Sequence, residues 1–560
     1  MSSSSIAVGA SPGVLTRFWR RDLAAYPESA RRYAYLAIVV LTTIVLYYLL
    51  YIQYAVATSI ITHYHMTFTY FVWMSVIGNA VGAGSSLLAG LADRWGRANL
   101  VVYGLLLAGV LVMILPSTSS KGAFLALFAV LFFVEGIILV ATPALIRDFS
   151  PQLGRATAMG FWAIGPVVGS LVVTTVTSHT LDSSTWQDEL HYSGISSLIV
   201  FVIALFALRE LSPRLRDQIM VSMRDRALVE ARARGIDPEQ ELAGHWRQML
   251  RPGIAGPAFA VSVYLLLYYA LVGNLVIYFS AVYGYSEQRA NAVANWYWAA
   301  NAVSLVVAGL ISDRLKVRKP LMMVGCVGTI ATTAVFATLA THAHTGYYTF
   351  AVVFLIGGAL AGVTYAPWMA AFTETVEERN PAATATGLAV WGWILRIVVA
   401  VSAAFVPVVV TSVTPVVDHG AEVAAAQAKA GPALAIMAQH PAVFAELSKY
   451  PTANPAAIPP AVLAQAVAQV GMADLQTVQQ AQPELAILQA HGTEVAKAVK
   501  DGPHQWQTWW WVALAGQIVF LPFAATMRGR WSPRKAREDA EAHEQAVARE
   551  LAKLQEAAAQ

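Results

Sequence analysis

The chain is short of charge. Only 12% of its 560 residues are Asp, Glu, Lys or Arg, against 57% hydrophobic, where a soluble domain carries about 25% charged residues. That excludes an ordinary soluble globule. The net charge of +4 is spread over many loops and gives no concentrated basic surface for nucleic acid. Cysteine is nearly absent: Cys326 stands alone in "MMVGCVGTI", so no disulfide forms within one chain and the thiol reads as packing. There is no Gly-rich phosphate loop ending in Lys-Ser/Thr, so ATP is not expected to drive it. No nucleophile, base and orienting partner stand out, so the chain does not read as an enzyme. His63 and His65 are not joined by a cysteine or carboxylate cluster, so neither a metal nor a cofactor is expected. The first 32 residues are polar and Arg-bearing. Lacking a short apolar core with a small-residue cleavage site, they read as a tail and not as a removable signal.

What the chain has is apolar length, with a mean hydropathy of +0.54. A membrane-spanning helix needs about 20 mainly apolar residues, and twelve runs qualify, at about 33–56, 68–91, 99–116, 122–146, 156–178, 193–208, 257–280, 290–312, 320–341, 347–370, 384–411 and 507–527. The sixth is the shortest. The runs are too long and uniformly apolar for barrel strands, which leaves helices. Lys and Arg gather in alternate loops: Arg20, Arg21, Arg31 and Arg32, then Arg94 and Arg97, then Arg147 and Arg155, later Arg314, Lys316, Arg318 and Lys319, and finally Arg528, Arg530, Arg534 and Lys535. That bias places both termini in the cytoplasm of a chain integral to the cytoplasmic membrane.

The expected organisation is an N-terminal tail (1–32), a six-helix half (33–208), an amphipathic cytoplasmic linker (209–252), helices seven to eleven (253–411), an extracytoplasmic helical insertion (412–506), helix twelve (507–527) and a charged helical tail (528–560). "GLADRWGR" after the second run and "GLISDRLKVRKP" after the eighth repeat an Asp-Arg knot, and "GRATAMGFWAIG" and "AATATGLAVWGW" open the fifth run of each half. The halves are therefore read as related repeats.

With these features the chain resembles the major facilitator superfamily of secondary transporters. The fold implied is an all-α membrane protein of twelve transmembrane helices in two pseudo-symmetric six-helix halves. Leu91, Ala92, Asp93, Arg94, Gly96 and Arg97 match the family's loop signature, with Ala89 in place of its first glycine; the second copy keeps Gly309, Asp313 and Arg314. The resemblance implies that Asp93, Arg94, Arg97, Asp313 and Arg314 form a conformational latch. In the fifth run, Gly165, Pro166 and Gly169 match part of a motif of proton-coupled exporters, while Phe161 and Ser170 depart from it; close helix packing by small residues accounts for it as well.

Two charges stand where lipid disfavours them, at about 2.5–3.5 kcal/mol each on insertion scales. Glu135 falls about 16 Å from the cytoplasmic end of the fourth run and Arg396 about 18 Å from that of the eleventh. By the resemblance both reach the central cavity, from opposite halves. A half-dry cavity favours a neutral carboxylic acid, so Glu135 is the expected proton carrier. Arg396 offers a planar fork for a carboxylate or phosphate. A fixed ion pair between the two is the structural alternative. Tyr264, Tyr268 and Asn274 in the seventh run, Asn295 in the eighth, and Tyr51 and Gln53 in the first are the other expected substrate contacts, although aromatic residues near helix ends also serve as interface anchors. "WWW" at 509–511 reads as such an anchor.

Three functions stay open. The first is proton-coupled transport of a small organic anion or metabolite by alternating access. The second is proton-antiport efflux of drug-like compounds, and the third a non-transporting sensor on a transporter frame. The expected partners are a small-molecule substrate, protons and the lipid bilayer, without nucleic acid, around a monomer.

Overall fold

The computed structural model describes residues 19–23, 25–85, 95–149, 155–212, 215, 248–379, 384–450, 458–527 and 530–559. A first half contains α1 (Ser29–Ala55), α2 (Ala57–His63), α3 (Phe68–Ser85), α4 (Arg97–Ile114), α5 (Lys121–Phe149), α6 (Arg155–Thr180) and α7 (Trp186–Ala207). A second contains α8 (Pro252–Tyr264), α9 (Leu266–Tyr283), α10 (Glu287–Leu315), α11 (Lys319–Leu339), α12 (Tyr347–Arg379) and α13 (Thr384–Val409). Between α13 and the last long helix lie α14 (Val413–Gln439), α15 (Pro441–Leu447), α16 (Pro460–Val470), α17 (Met472–Gln480) and α18 (Gln482–Ile487); then come α19 (Thr493–Thr526) and α20 (Pro533–Ala559). Among the described residues ten helical segments are long and apolar enough to cross a membrane. Helices α3 and α6 pack alongside them, an arrangement consistent with two six-helix halves.

Composition explains most of these elements, and capping explains the rest. The sixth helix begins well before the apolar stretch, because Thr185 and Asp188 form a reciprocal cap that carries Gln187, Asp188, Glu189 and His191 into α7. Helix α7 ends under Arg21. Its buried guanidinium donates to the carbonyl of Leu205 at 2.6 Å and, through Nε, to Asn99 Oδ1 at 3.0 Å. The last carbonyls of a helix carry partial negative charge and lack intrahelical partners, so a buried cation there is well placed. Next to it, β1 (Asp22–Leu23) pairs in parallel with β2 (Glu210–Leu211), tying the leading tail to the end of the first half.

The tryptophan triplet corrects an expectation. Trp510 is fully buried against Tyr278 and Phe336, Trp509 is buried as well, and only Trp511 is exposed. Helix α19 starts at Thr493, well before the apolar run. Trp509 and Trp510 turn into the bundle near the C-terminal ends of α9 and α11, and only Trp511 is placed to serve as an interface anchor.

The halves meet along α6 against α10 and α12, α3 against α13, and α1 against α9. The end of the bundle holding the leading tail is called proximal below, and the opposite end distal.

Candidate functional site

Glu135 lies midway along α5, 1% exposed, and neither carboxylate oxygen has a hydrogen-bond partner among the described residues. Its position is set by close packing of α5 on α3. A Cβ added to Gly136 would overlap the Ser85 side chain and the Gly82 carbonyl, so only glycine lets the two backbones approach there. Arg396 lies midway along α13 and is half-buried. Tyr47 of α1 is within electrostatic range of both Glu135 and Arg396, and Tyr269 is within range of Arg396. Glu135 and Arg396, each midway along a helix of a different half, thus both act electrostatically on one tyrosine.

Beside them is a cavity of about 50 Å³. Tyr264, Tyr268 and Tyr269 from the α8–α9 region line it, together with Asn301, Gln517 and Pro166. The helix is distorted there: α8 ends at Tyr264 and α9 starts at Leu266, while the Leu265 N–H still donates to the Val261 carbonyl and the Leu265 carbonyl accepts from the Tyr269 N–H. Of the expected contacts, Tyr264 and Tyr268 line the cavity, and Tyr51 lies within electrostatic range of Tyr268 and Tyr269. Asn274 and Gln53 are not among the lining residues; Gln53 donates to the Leu49 carbonyl of its own helix. Asn295 binds Thr175 and Ser178 across the seam. Asn301, an amide of the eighth run like Asn295, was within the set expected to finish the cavity; Gln517 was missed, although it is a lone amide within an apolar run.

In α6, glycines at 165 and 169 pack on α1. A Cβ on Gly165 would meet Thr43 Oγ1 at 2.8 Å, and one on Gly169 would meet Tyr47 Cβ at 2.5 Å. Close helix contact accounts for both residues, while Pro166 between them faces the cavity.

At the proximal face Arg97 pairs with Asp148 at 2.8 Å, and its backbone N–H donates to Glu210. In the second half Arg318 takes the corresponding place, bound to Asp313 at 2.6 Å and Glu374 at 2.9 Å. Each of these pairs stays within its own half. Asp93 and Arg94 lie outside the described residues, and Arg314 is exposed. Asp148, Glu210 and Glu374 were not legible as partners, because Asp148 and Glu374 sit towards the far ends of other helices and Glu210 in the short strand after α7.

The described side-chain hydrogen bonds that join the halves lie at the distal face. Glu287 at the start of α10 accepts from Thr58 Oγ1 (2.5 Å), Ser59 Oγ (2.5 Å) and the Ser59 N–H (2.8 Å). Asn291 donates to the Ala55 carbonyl at 2.9 Å. The break at Val56 between α1 and α2 frees that N–H and that carbonyl, which an unbroken helix would pair with each other. Gln288 and Asn295 add bonds to Ser178 of α6. This carboxylate was also missed, since it lies at a helix start in a loop-like stretch.

Residues 39–403 match the sequence profile of the Major Facilitator Superfamily. The chain belongs to that superfamily. Among solved structures, a bacterial homologue of the human lysosomal transporter Spinster, in inward-facing unoccupied and occupied conformations, superposes with TM-scores of 0.56 and 0.53. Identity is 14%, over 90% of this chain and 100% of the other. A D-xylose–proton symporter aligns at a TM-score of 0.48 and 15% identity, over 67% of this chain and 96% of its own. As a superfamily member the chain is an integral membrane protein and a secondary transporter with a small-molecule substrate.

Proposed function

We propose that this transporter moves a small organic anion or metabolite across the cytoplasmic membrane by alternating access, coupled to protons, with both termini cytoplasmic. The observation that carries the reading is Glu135: a carboxyl buried at mid-helix without a hydrogen-bond partner among the described residues, within reach of the same tyrosine as Arg396. An ionised carboxylate so placed is costly, and proton uptake removes the cost. Arg396 then serves as the docking point for the anion. The proximal ends carry the Lys and Arg residues, which supports a cytoplasmic proximal face. The distal hydrogen bonds across the seam support a state closed on the opposite side.

The test is uptake into proteoliposomes with and without an imposed pH gradient. Gradient-dependent accumulation competed by carboxylates supports the reading. Competition by lipophilic cations alone would favour efflux of drug-like compounds, and no flux under any gradient would favour a sensor.

A further inference from the structure

The cavity of about 50 Å³ exceeds several times the space one water needs. Asn301 Oδ1 and Gln517 Oε1, both on lining residues, have no hydrogen-bond partner among the described residues, and the Tyr268 hydroxyl lies beside them on the same cavity. Asn301 is 4% exposed and Gln517 1%. Gln517 commits its amide nitrogen to Thr333 Oγ1 at 3.0 Å, which leaves its carbonyl oxygen for the cavity. A buried acceptor without a donor costs about 1–3 kcal/mol. Two such amides on one cavity form a prepared set of acceptors.

The chemistry of the missing donor follows from the walls. The lining residues are all uncharged. An ammonium would be desolvated there without a counter-charge, whereas a hydroxyl brings its donor at far lower cost. An ionised carboxylate has no donor to offer the amide oxygens. Tyr269, on the same cavity, is within electrostatic range of Arg396, so an anionic group toward Arg396 and a hydroxyl in the cavity belong to one small molecule.

We infer that Asn301, Gln517 and Tyr268 seat the hydroxylated end of the substrate, whose class is that of the hydroxy acids; for its anionic end alone, this rests on the role of Arg396 proposed above. The selecting residues lie on α10, α19 and α9.

The experiment measures thermal stabilisation of the full-length protein in nanodiscs by matched carboxylates: lactate with propionate, tartrate with succinate, gluconate with hexanoate, and neutral sorbitol as a third arm. The best hydroxy acid is expected to bind at least tenfold tighter than its plain partner, because a site built for a hydroxyl rejects the analogue lacking it. Asn301→Leu is expected to erase that ratio without lowering the melting temperature of the protein alone; Gln517→Leu is expected to erase it as well, with a lower melting temperature because the bond to Thr333 is lost. If no hydroxylated acid outperforms its partner on the wild-type protein and sorbitol does not bind either, the inference is overturned, whether or not the variants fold. Plain and hydroxylated acids binding alike overturns the hydroxyl seat and leaves the anion reading intact. Sorbitol binding while all acids fail supports the seat and removes the role of Arg396.

Discussion

Glu287 holds Ser59 across the seam between the halves, through the Ser59 N–H at 2.8 Å and the Ser59 hydroxyl at 2.5 Å. One carboxylate thereby closes the distal face against a backbone group that the helix break at Val56 has released. Hydrogen bonds to a charged group contribute about 1.5–3 kcal/mol each. Glu287→Gln keeps the shape and removes the charge. The distal-open population is expected to rise about tenfold, equivalent to about 1.4 kcal/mol. Alkylation of a cysteine placed at buried Gln53, in a Cys326→Ser background, reads it out; an unchanged rate would show that this contact does not hold the gate.

Glu135→Gln leaves a neutral group in the same place. Accumulation driven by a pH gradient is expected to vanish while exchange of substrate across the membrane continues. Parallel uptake and counterflow assays separate the two, and gradient-driven uptake persisting in the variant would remove Glu135 as the carrier.

Arg396→Lys retains the charge and discards the planar fork. Uptake of the anion is expected to fall more than tenfold, with the melting temperature within about 2 °C of the wild type, as for a change that leaves packing intact. Equal losses in transport and stability would mark Arg396 as a structural residue instead.

Gly169→Ala brings a Cβ within 2.5 Å of Tyr47 Cβ and 3.0 Å of the Ile44 carbonyl. Overpacking costs about 1–3 kcal/mol. A lowered melting temperature is expected even in the absence of substrate, and a variant as stable as the wild type would show that the glycine is there for another reason.

Asp418 of α14 accepts from the Phe68 N–H at 2.8 Å, and burial raises its pKa above the usual carboxylate value. The folded state therefore binds its proton more tightly than the unfolded state does. The resulting stabilisation is full below the unfolded pKa and is lost as the pH rises through the higher folded value. Amide exchange at Phe68 and in α14 is expected to slow on going from pH 7 towards pH 4, after correction for intrinsic rates. Asp418→Asn should flatten the trend.

Much of the frame was legible because lipid imposes a simple rule: long apolar runs become helices. Glu135 and Arg396 were legible for the same reason, as charges that break the rule. What stayed hidden depends on rotation and on contacts between distant segments. Gln517 is one amide in "WVALAGQIVF", and nothing in that string says whether it faces lipid, a neighbour or a cavity. Glu287 reads as an ordinary helix-start acid until α2 is brought against it. The polar start of α7 is invisible to hydropathy and set by a capping pair, while in the tryptophan triplet the string cannot say that Trp509 and Trp510 turn inward and only Trp511 outward. The charged knot of Asp93 and Arg94 falls outside the described residues, but its neighbour Arg97 shows where a partner was to be sought, on the end of α5.

Arg21 and the Leu205 carbonyl it caps are 184 residues apart in the chain. During synthesis the arginine emerges first and waits, its guanidinium without a seat until the final turn of α7 arrives. Closure of this half is therefore a late event, with the oldest segment clasping the newest. A protein started downstream of that arginine would complete its six helices with the last one unsealed, and would be expected to lose more in biogenesis yield than its few missing residues suggest.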